Sequence, residues 1–334
     1  MAVLPRVCVV GAGAIGIYLG GHLADGHAHV NVLARGRTLE VIRRRGLVLE
    51  TGGRRLERMV GSSADASDFG PQDVVIVAVK APSLASVAPM IAPLIGPRTL
   101  ILPVLNGIPW WFALEAGSRA GGNHLRSLDP QGVIAASIPE SNTVGSVVYP
   151  SCSSPEPGTS IHASGSRLVF GEVRGGTSAR VGALVALLQK AGLGAEQSSD
   201  IRAEVWQKLL GNACFNPVSL LTGSPTDRLI DDPGIYALFH AMMTETLAVG
   251  TAIGIHLSIK PSERMAVTRK LGSVKTSMLQ DVEAGRAVEL EGILGALIET
   301  AGVCGVRIPS CEVVYALARM RASVLGLLPP PAGA

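Results

Sequence analysis

Residues 7–16, VCVVGAGAIG, run apolar, largely β-branched residues straight into three glycines, and an Ala/Leu-rich stretch follows. β-Branched residues favour an extended strand, and the glycines allow a tight turn before a helix begins. Gly11 permits the turn, Gly13 lets the backbone approach a pyrophosphate, and Gly16 lets helix and strand pack closely with phosphate on the helix N-terminus. Gly11, Ala12, Gly13, Ala14, Ile15 and Gly16 are therefore the candidate dinucleotide-binding turn. Taken alone, the motif also fits a glycine-rich strand–turn–helix junction that binds nothing.

The end of the second strand-like run bears on which dinucleotide it is. About 20 residues past the glycines, an NAD-binding fold presents Asp or Glu to the ribose 2′-hydroxyl. Here HVNVL (29–33) leads to Arg35, with Arg37 close behind. A carboxylate would repel a 2′-phosphate, whereas guanidinium groups bind it through charge-assisted hydrogen bonds. The pattern favours NADP(H) over NAD(H). A solvated basic loop continuing into Arg43, Arg44 and Arg45 is the alternative.

Strand-like and helical runs alternate through the first half: DVVIVAV (73–79), a helical segment near 83–95, then TLILPVL (99–105). Short apolar runs of this kind are buried on both faces of a parallel sheet, which makes this half α/β and doubly wound. Residues 117–143 and 150–160 read as long loops around a strand at 144–149. A strand at 167–171 and a helix at 177–191 close the first domain, 1–198. From Asp200 the pattern is helical, with segments near 200–222, 235–254, 264–284, 288–303 and 310–325 broken by Pro217, Pro225, Pro233, Pro261 and Pro309. The second domain, 199–328, is expected to be all-helical, with the tail LLPPPAGA frayed.

With 334 residues, 47% of them hydrophobic, the chain can build a core in each of two domains. A net charge of +3 and 4% aromatic residues give little support to a nucleic-acid surface. The odd count of five cysteines, with no CxxC pair, argues against a disulfide framework and a zinc site, so no metal is expected and a reducing, cytoplasmic setting fits. The glycines interrupt the N-terminal apolar run, which also lacks a basic leader, so neither a signal peptide nor a membrane span is expected. Low charge and apolar helices are compatible with a homodimer.

Chemistry is concentrated in IRAEVWQKLLGNACFNP (201–217). Lys208, Asn212 and Asn216 are spaced by four and drift only ~40° per step on a helix, so they form one polar stripe on an apolar segment. Burial beside Trp206, Leu209 and Leu210 would lower the lysine pKa from ~10.4 and make its ammonium a better proton donor near neutrality. Two amides beside it can hold a hydroxyl or carbonyl oxygen. The other reading is a snorkelling lysine with two helix-packing amides. A second cluster, TSMLQDVEAGRAVELEG (276–292), contains Ser277, Glu289 and Glu291. Ser277 and Glu289 would lie ~120° apart on one straight helix and converge only if the chain bends, for which Gly285 is suited. On spacing alone, both glutamates read as surface carboxylates.

These residues together resemble the ketopantoate reductase family. GAGAIG, Val79-Lys80-Ala81, Asn106-Gly107, the Lys208 segment and SMLQD followed by Glu289 occur in that family's order and spacing over residues 6 to about 315. The resemblance implies a Rossmann domain joined to a helical domain, with the active site in the cleft between them, and NADPH-dependent reduction of a 2-oxo acid, ketopantoate, to pantoate. It implies that Lys208 is the proton donor, that Asn212 and Asn216 hold the substrate hydroxyl, and that Ser277 holds its carboxylate. Asn106 would lie between nicotinamide and substrate, Lys80 would line the cofactor site, and Glu289 would contact the cofactor and the lysine. Three features depart from the pattern: a longer stretch from Asn106 to the strand at 144, Ser83 in place of a longer amide, and Thr226 in place of an asparagine. The alternatives are a paralogue acting on a bulkier oxo or hydroxy compound, a β-hydroxyacid dehydrogenase of the phosphogluconate type, and a non-catalytic NADPH sensor. A sensor would keep the glycines and Arg35 but have no use for Lys208.

Overall fold

The computed structural model of the protein describes residues 3–113 and 125–328. The strands are β1 (Arg6–Val10), β2 (His29–Leu33), β3 (Leu47–Thr51), β4 (Arg54–Arg58), β5 (Gly61–Ser63), β6 (Val74–Val77), β7 (Leu100–Pro103), β8 (Val144–Val148), β9 (Ser151–Ser153), β10 (Thr159–Ser164), β11 (Arg167–Glu172) and β12 (Gly194–Gln197). The helices are α1 (Ala14–Leu23), α2 (Gly36–Arg45), α3 (Ala81–Val87), α4 (Val133–Ser137), α5 (Ala179–Lys190), α6 (Ile201–Thr222), α7 (Thr226–Asp231), α8 (Pro233–Ala252), α9 (Pro261–Arg269), α10 (Ser277–Glu283), α11 (Ala296–Cys304) and α12 (Pro309–Val324). The chain divides into two compact units. One comprises the chain through Leu105 together with Val133–Ile201, and the other comprises Asn106–Gly132 with the chain from Arg202 onward.

The first unit is built on a five-stranded parallel sheet of order β5-β2-β1-β6-β7. Val7, Cys8, Val9 and Val10 are buried in the central strand, as a parallel sheet covered on both faces requires. Strand order reverses between β1 and β6, and a crevice opens at the carboxyl ends of strands at such a reversal. A second sheet, β4-β3-β10-β9, packs on α1. Its β3–β4 hairpin turns at Gly52 and Gly53, both with positive φ, as a tight two-residue turn demands. Segment 150–160, expected to be loop, forms β9 and the start of β10. Its strands are short and polar: β10 is held by pairing with β3 and β9 by pairing with β10, rather than by a hydrophobic pattern. A third sheet, β12-β11-β8, meets β7, where Ser146 Oγ donates to the Pro103 carbonyl at 2.6 Å.

The helical expectation near 83–95 divides into α3 and a 3₁₀ stretch at Ala88–Leu94, because Pro93 lacks the N–H that an α-helix would use. Of the expected loop 117–143, residues 117–124 lie outside the described ones, and the remainder contains α4. The tail residues 329–334 also lie outside them.

The second unit is helical throughout its described elements. Trp206 is fully buried and donates its Nε1–H to the Thr246 carbonyl at 3.0 Å, while Phe215 meets Phe239 edge-on with centroids 4.7 Å apart. Helix α6 continues through Pro217 instead of breaking there. Burial of Phe215, Val218 and Leu220 offsets the ~3 kcal/mol cost of an internal proline. The expected helix at 264–284 is two helices, α9 and α10, and α10 stops before Gly285, whose φ of 62° is the left-handed conformation of a helix end. The described residues of segment 106–132, which the sequence reading assigned to the first domain, pack with the second unit. Arg126 and Ser127 donate their backbone N–H groups to the Glu299 carboxylate at 2.7 and 2.9 Å, and Phe112 stacks on Trp206.

Asn142, buried just before β8, donates its side-chain amide to the carbonyls of Gly96 and Thr99 at 3.0 and 2.8 Å. Asn142→Ala should strand both acceptors and lower stability by about 1–3 kcal/mol, measured by urea unfolding. A change within 0.5 kcal/mol, on the order of a neutral surface substitution, would contradict this.

Candidate active site and cofactor cavity

At the reversal point of the parallel sheet, a cavity of about 380 Å³ is lined by Val10, Gly11, Ala12 and Gly13 from the first turn. Leu33, Ala34, Arg35 and Thr38 line it after β2, and Val79, Ser83, Ser86 and Val87 after β6. The three glycines play different parts. Gly11 has φ 95°, and a Cβ there would lie 2.7 Å from Val79 Cγ1. A Cβ on Gly16 would overlap the Gly11 carbonyl, so Gly16 is required by packing of α1 on the turn and does not line the cavity. At Gly13 the protein makes no such demand: a Cβ would meet only the Ala78 carbonyl, at 4.0 Å. The space left there, at the N-terminus of α1, suits a ligand phosphate. Ala14 and Ile15 belong to the first turn of α1, and their side chains do not line the cavity.

Arg35 is exposed, occupies the N-cap position of α2 and places its guanidinium at Met90 Sδ. No acidic residue stands in the first turn of α2, so the field at this rim is positive. Thr38, Ser83 and Ser86 add hydroxyls that sequence reasoning did not single out. Thr38 follows Arg35 by three residues, the spacing at which a helix brings side chains onto one face. Lys80 occupies the N-cap position of α3 beside Val79 but is not itself part of the cavity wall.

The second unit brings together three predicted residues that lie far apart in sequence. Lys208, half-buried on α6, donates from Nζ to Asn106 Oδ1 at 2.9 Å. Asn106 in turn donates from Nδ2 to Glu289 Oε2 at 3.1 Å. The carboxamide can satisfy both neighbours only in this orientation, with its oxygen toward the ammonium and its nitrogen toward the carboxylate. Burial pushes the Lys208 pKa down to about 8, and the negative charge of Glu289 opposes that shift.

Asn212 and Asn216 continue the stripe along α6 as expected. Asn216 is 4% exposed, and its Nδ2 is buried with no hydrogen-bond acceptor among the described residues. A buried amide N–H without a partner costs about 1–3 kcal/mol, a cost that a ligand oxygen would remove. Ser277 lies exposed in the first turn of α10, without a hydrogen bond to Asn106, Lys208 or Glu289. Glu291, which spacing made a surface carboxylate, instead accepts from Tyr315 Oη at 2.8 and 2.7 Å. No cluster of His, Cys, Asp and Glu among the described residues could hold a metal ion, and none of their helices is long and apolar enough to cross a membrane.

Comparison with known proteins accounts for both units. The family model described as ketopantoate reductase PanE/ApbA matches residues 7–175, and its C-terminal counterpart matches residues 200–322. A 2-dehydropantoate 2-reductase of Mesorhizobium japonicum is 39% identical over 315 residues, covering 94% of this chain and 97% of that protein. A crystal structure from Ralstonia solanacearum, provisionally described as a ketopantoate reductase, superposes with a TM-score of 0.93 at 44% identity, covering 97% and 99% of the two chains. The 2-dehydropantoate 2-reductase of Methylococcus capsulatus superposes with a TM-score of 0.82 at 27% identity, covering 96% and 97%.

The unequal demands on the glycines are testable by substitution. Gly16→Ala should cost about 1–3 kcal/mol of stability through overpacking. Gly13→Ala should leave stability within roughly 0.5 kcal/mol while weakening dinucleotide binding. Urea unfolding and fluorescence titration with NADPH separate the two effects, and equal stability losses would contradict the assignment.

Proposed function

The chain belongs to the ketopantoate reductase family, and on that premise we propose that it reduces the 2-oxo group of ketopantoate to pantoate with NADPH, a step toward pantothenate. The observation that carries this reading is the Lys208–Asn106–Glu289 chain of hydrogen bonds, which holds an ammonium on the polar stripe of α6. NADPH, when bound, supplies hydride to the 2-oxo carbon. Gly11, Gly13, Arg35, Thr38, Ser83 and Ser86 would hold it, with Arg35 on the 2′-phosphate. Negative charge then grows on the former carbonyl oxygen, and Lys208 Nζ delivers a proton to it. Asn106 fixes the direction of that ammonium and Glu289 fixes Asn106. Asn216 offers its unpartnered Nδ2 to the substrate hydroxyl together with Asn212, and Ser277 offers a hydroxyl to the carboxylate. None of the five cysteines, Cys8, Cys152, Cys214, Cys304 and Cys311, forms a disulfide, which suits a reducing, cytoplasmic setting.

The direct test follows NADPH oxidation at 340 nm with ketopantoate and with its 4-deoxy analogue. Because amides built to bind a hydroxyl are left unpaired by an analogue lacking it, kcat/KM should drop by roughly 10⁴-fold or more for the analogue. Equal turnover of the two compounds would reject ketopantoate as the substrate.

Lys208 also sets a pH dependence. Reduction needs the ammonium, so its kcat/KM should fall as pH rises through about 8. Oxidation of pantoate needs the neutral amine and should rise over the same interval. Lys208→Ala should lower kcat by about 10²–10⁴-fold with NADPH affinity nearly unchanged, and should abolish this limb of the profile. A variant with normal kcat would exclude Lys208 as the donor.

Arg35→Ala should weaken NADPH by about 1.5–3 kcal/mol and NADH far less, as measured by calorimetric titration. Equal affinity of the unmodified protein for the two cofactors would contradict the 2′-phosphate assignment.

A further inference from the structure

Beside the Lys208–Asn106–Glu289 chain lies a second interaction that no step above uses. Glu291 opens a single π-helical turn, Glu291–Gly295, two residues beyond Glu289. Both of its carboxylate oxygens accept from the Tyr315 phenol of α12, at 2.8 and 2.7 Å, and the Arg319 guanidinium stands 3.9 Å away. Burial, reinforced by Glu291, raises the Tyr315 pKa well above the ordinary tyrosine value, so the phenol stays a donor across the working range of pH.

The π turn has a direct consequence for Asn106. In it, the Ala296 N–H bonds to the Glu291 carbonyl five residues back, not to the Gly292 carbonyl four residues back. The Gly292 carbonyl instead accepts from the Ile108 N–H at 2.9 Å. Chain 106–108 therefore rests directly on the turn. The contact at Gly107, which has φ 85°, is so close that any Cβ there would overlap the Gly292 carbonyl. An added residue in a helix is unfavourable by itself and persists where surrounding contacts specify it. Here the Tyr315–Glu291 bond is such a contact.

We propose that Tyr315 and Glu291 are a positioning pair for the catalytic centre: by pinning the π turn they set where Gly292 holds Ile108, and so where the Asn106 carboxamide meets Lys208 and Glu289. The pair touches neither substrate nor cofactor and acts through Asn106. This role rests on the reductase reading given above.

The test uses the full chain with Tyr315→Phe, Glu291→Ala and Glu291→Gln. It measures kcat and KM for ketopantoate, NADPH affinity, thermal unfolding, and the titration of Lys208 by NMR of ¹³C-labelled lysine, assigned with Lys208→Arg. Tyr315→Phe and Glu291→Ala should lower kcat about tenfold or more, the scale expected when a catalytic group is misplaced by a fraction of an ångström to 1 Å. KM and NADPH affinity should stay within about twofold. In both variants the Lys208 titration should move up from about 8 toward the ordinary lysine value, because water reaches an ammonium whose pKa is lowered chiefly by burial. Glu291→Gln, which keeps an acceptor for the phenol, should fall between these variants and the parent. Unchanged kcat and Lys208 titration would overturn the proposal. So would a loss of kcat that only tracks the folded fraction while the Lys208 titration stays at its parental value. If the parent fails to reduce ketopantoate, the reductase reading falls, whereas the Lys208 titration in the variants still decides the positioning role.

Discussion

A single carboxamide stands between an ammonium and a carboxylate in the second unit, and the usefulness of that unit depends on its orientation. Asn106 can donate from one end and accept at the other, so it joins the Lys208 ammonium and the Glu289 carboxylate in one hydrogen-bonded chain. The negative charge of Glu289 holds the lysine proton more tightly, against the effect of burial. Burial is the larger influence, so the Lys208 pKa lies at about 8, below the ordinary lysine value. Much else in the unit serves this geometry. Gly107 permits the close crossing over the π turn, and α6 carries Lys208, Asn212 and Asn216 on one stripe.

The first unit solves a different problem with backbone rather than side chains. Its glycine turn combines two requirements of the fold, at Gly11 and Gly16, with one position, Gly13, that the fold leaves open. Helix N-termini at Gly13 and Arg35 give the cavity a positive rim before any cationic side chain is counted. The guanidinium of Arg35 stands at the edge of that rim. The expected preference for a phosphorylated ribose thus rests on one side chain set on a scaffold suited to dinucleotides in general.

What the sequence made legible follows from how local each cause is. The strand–turn–helix at 7–16 could be read because glycine spacing and β-branching act within ten residues. Lys208, Asn212 and Asn216 could be read because helix periodicity alone puts them on one face. The β9 and β10 strands could not, since SCS and TSIHAS carry little hydrophobic alternation: β10 is held by pairing with distant β3, and β9 by pairing with β10. Membership of 106–132 in the second unit was hidden for the same reason: its ties are to Gly292, Glu299 and Trp206, far along the chain. Glu289 and Glu291 looked alike at the level of spacing. What separates them is which distant partner each meets, Asn106 for one and Tyr315 for the other. The resemblance to a known family supplied the role of Glu289, and nothing comparable pointed to Glu291.

The central claim is that Asn106 and Glu289 serve Lys208 as one connected unit. A double-mutant cycle combining Asn106→Ala and Glu289→Ala, read out as kcat for ketopantoate reduction, tests it most directly. If the two act as one unit, the double variant should be little worse than the more damaging single variant, with a coupling energy above about 1 kcal/mol. Additive losses, with coupling within about 0.3–0.5 kcal/mol of zero, would show that the two residues act independently and would contradict this claim.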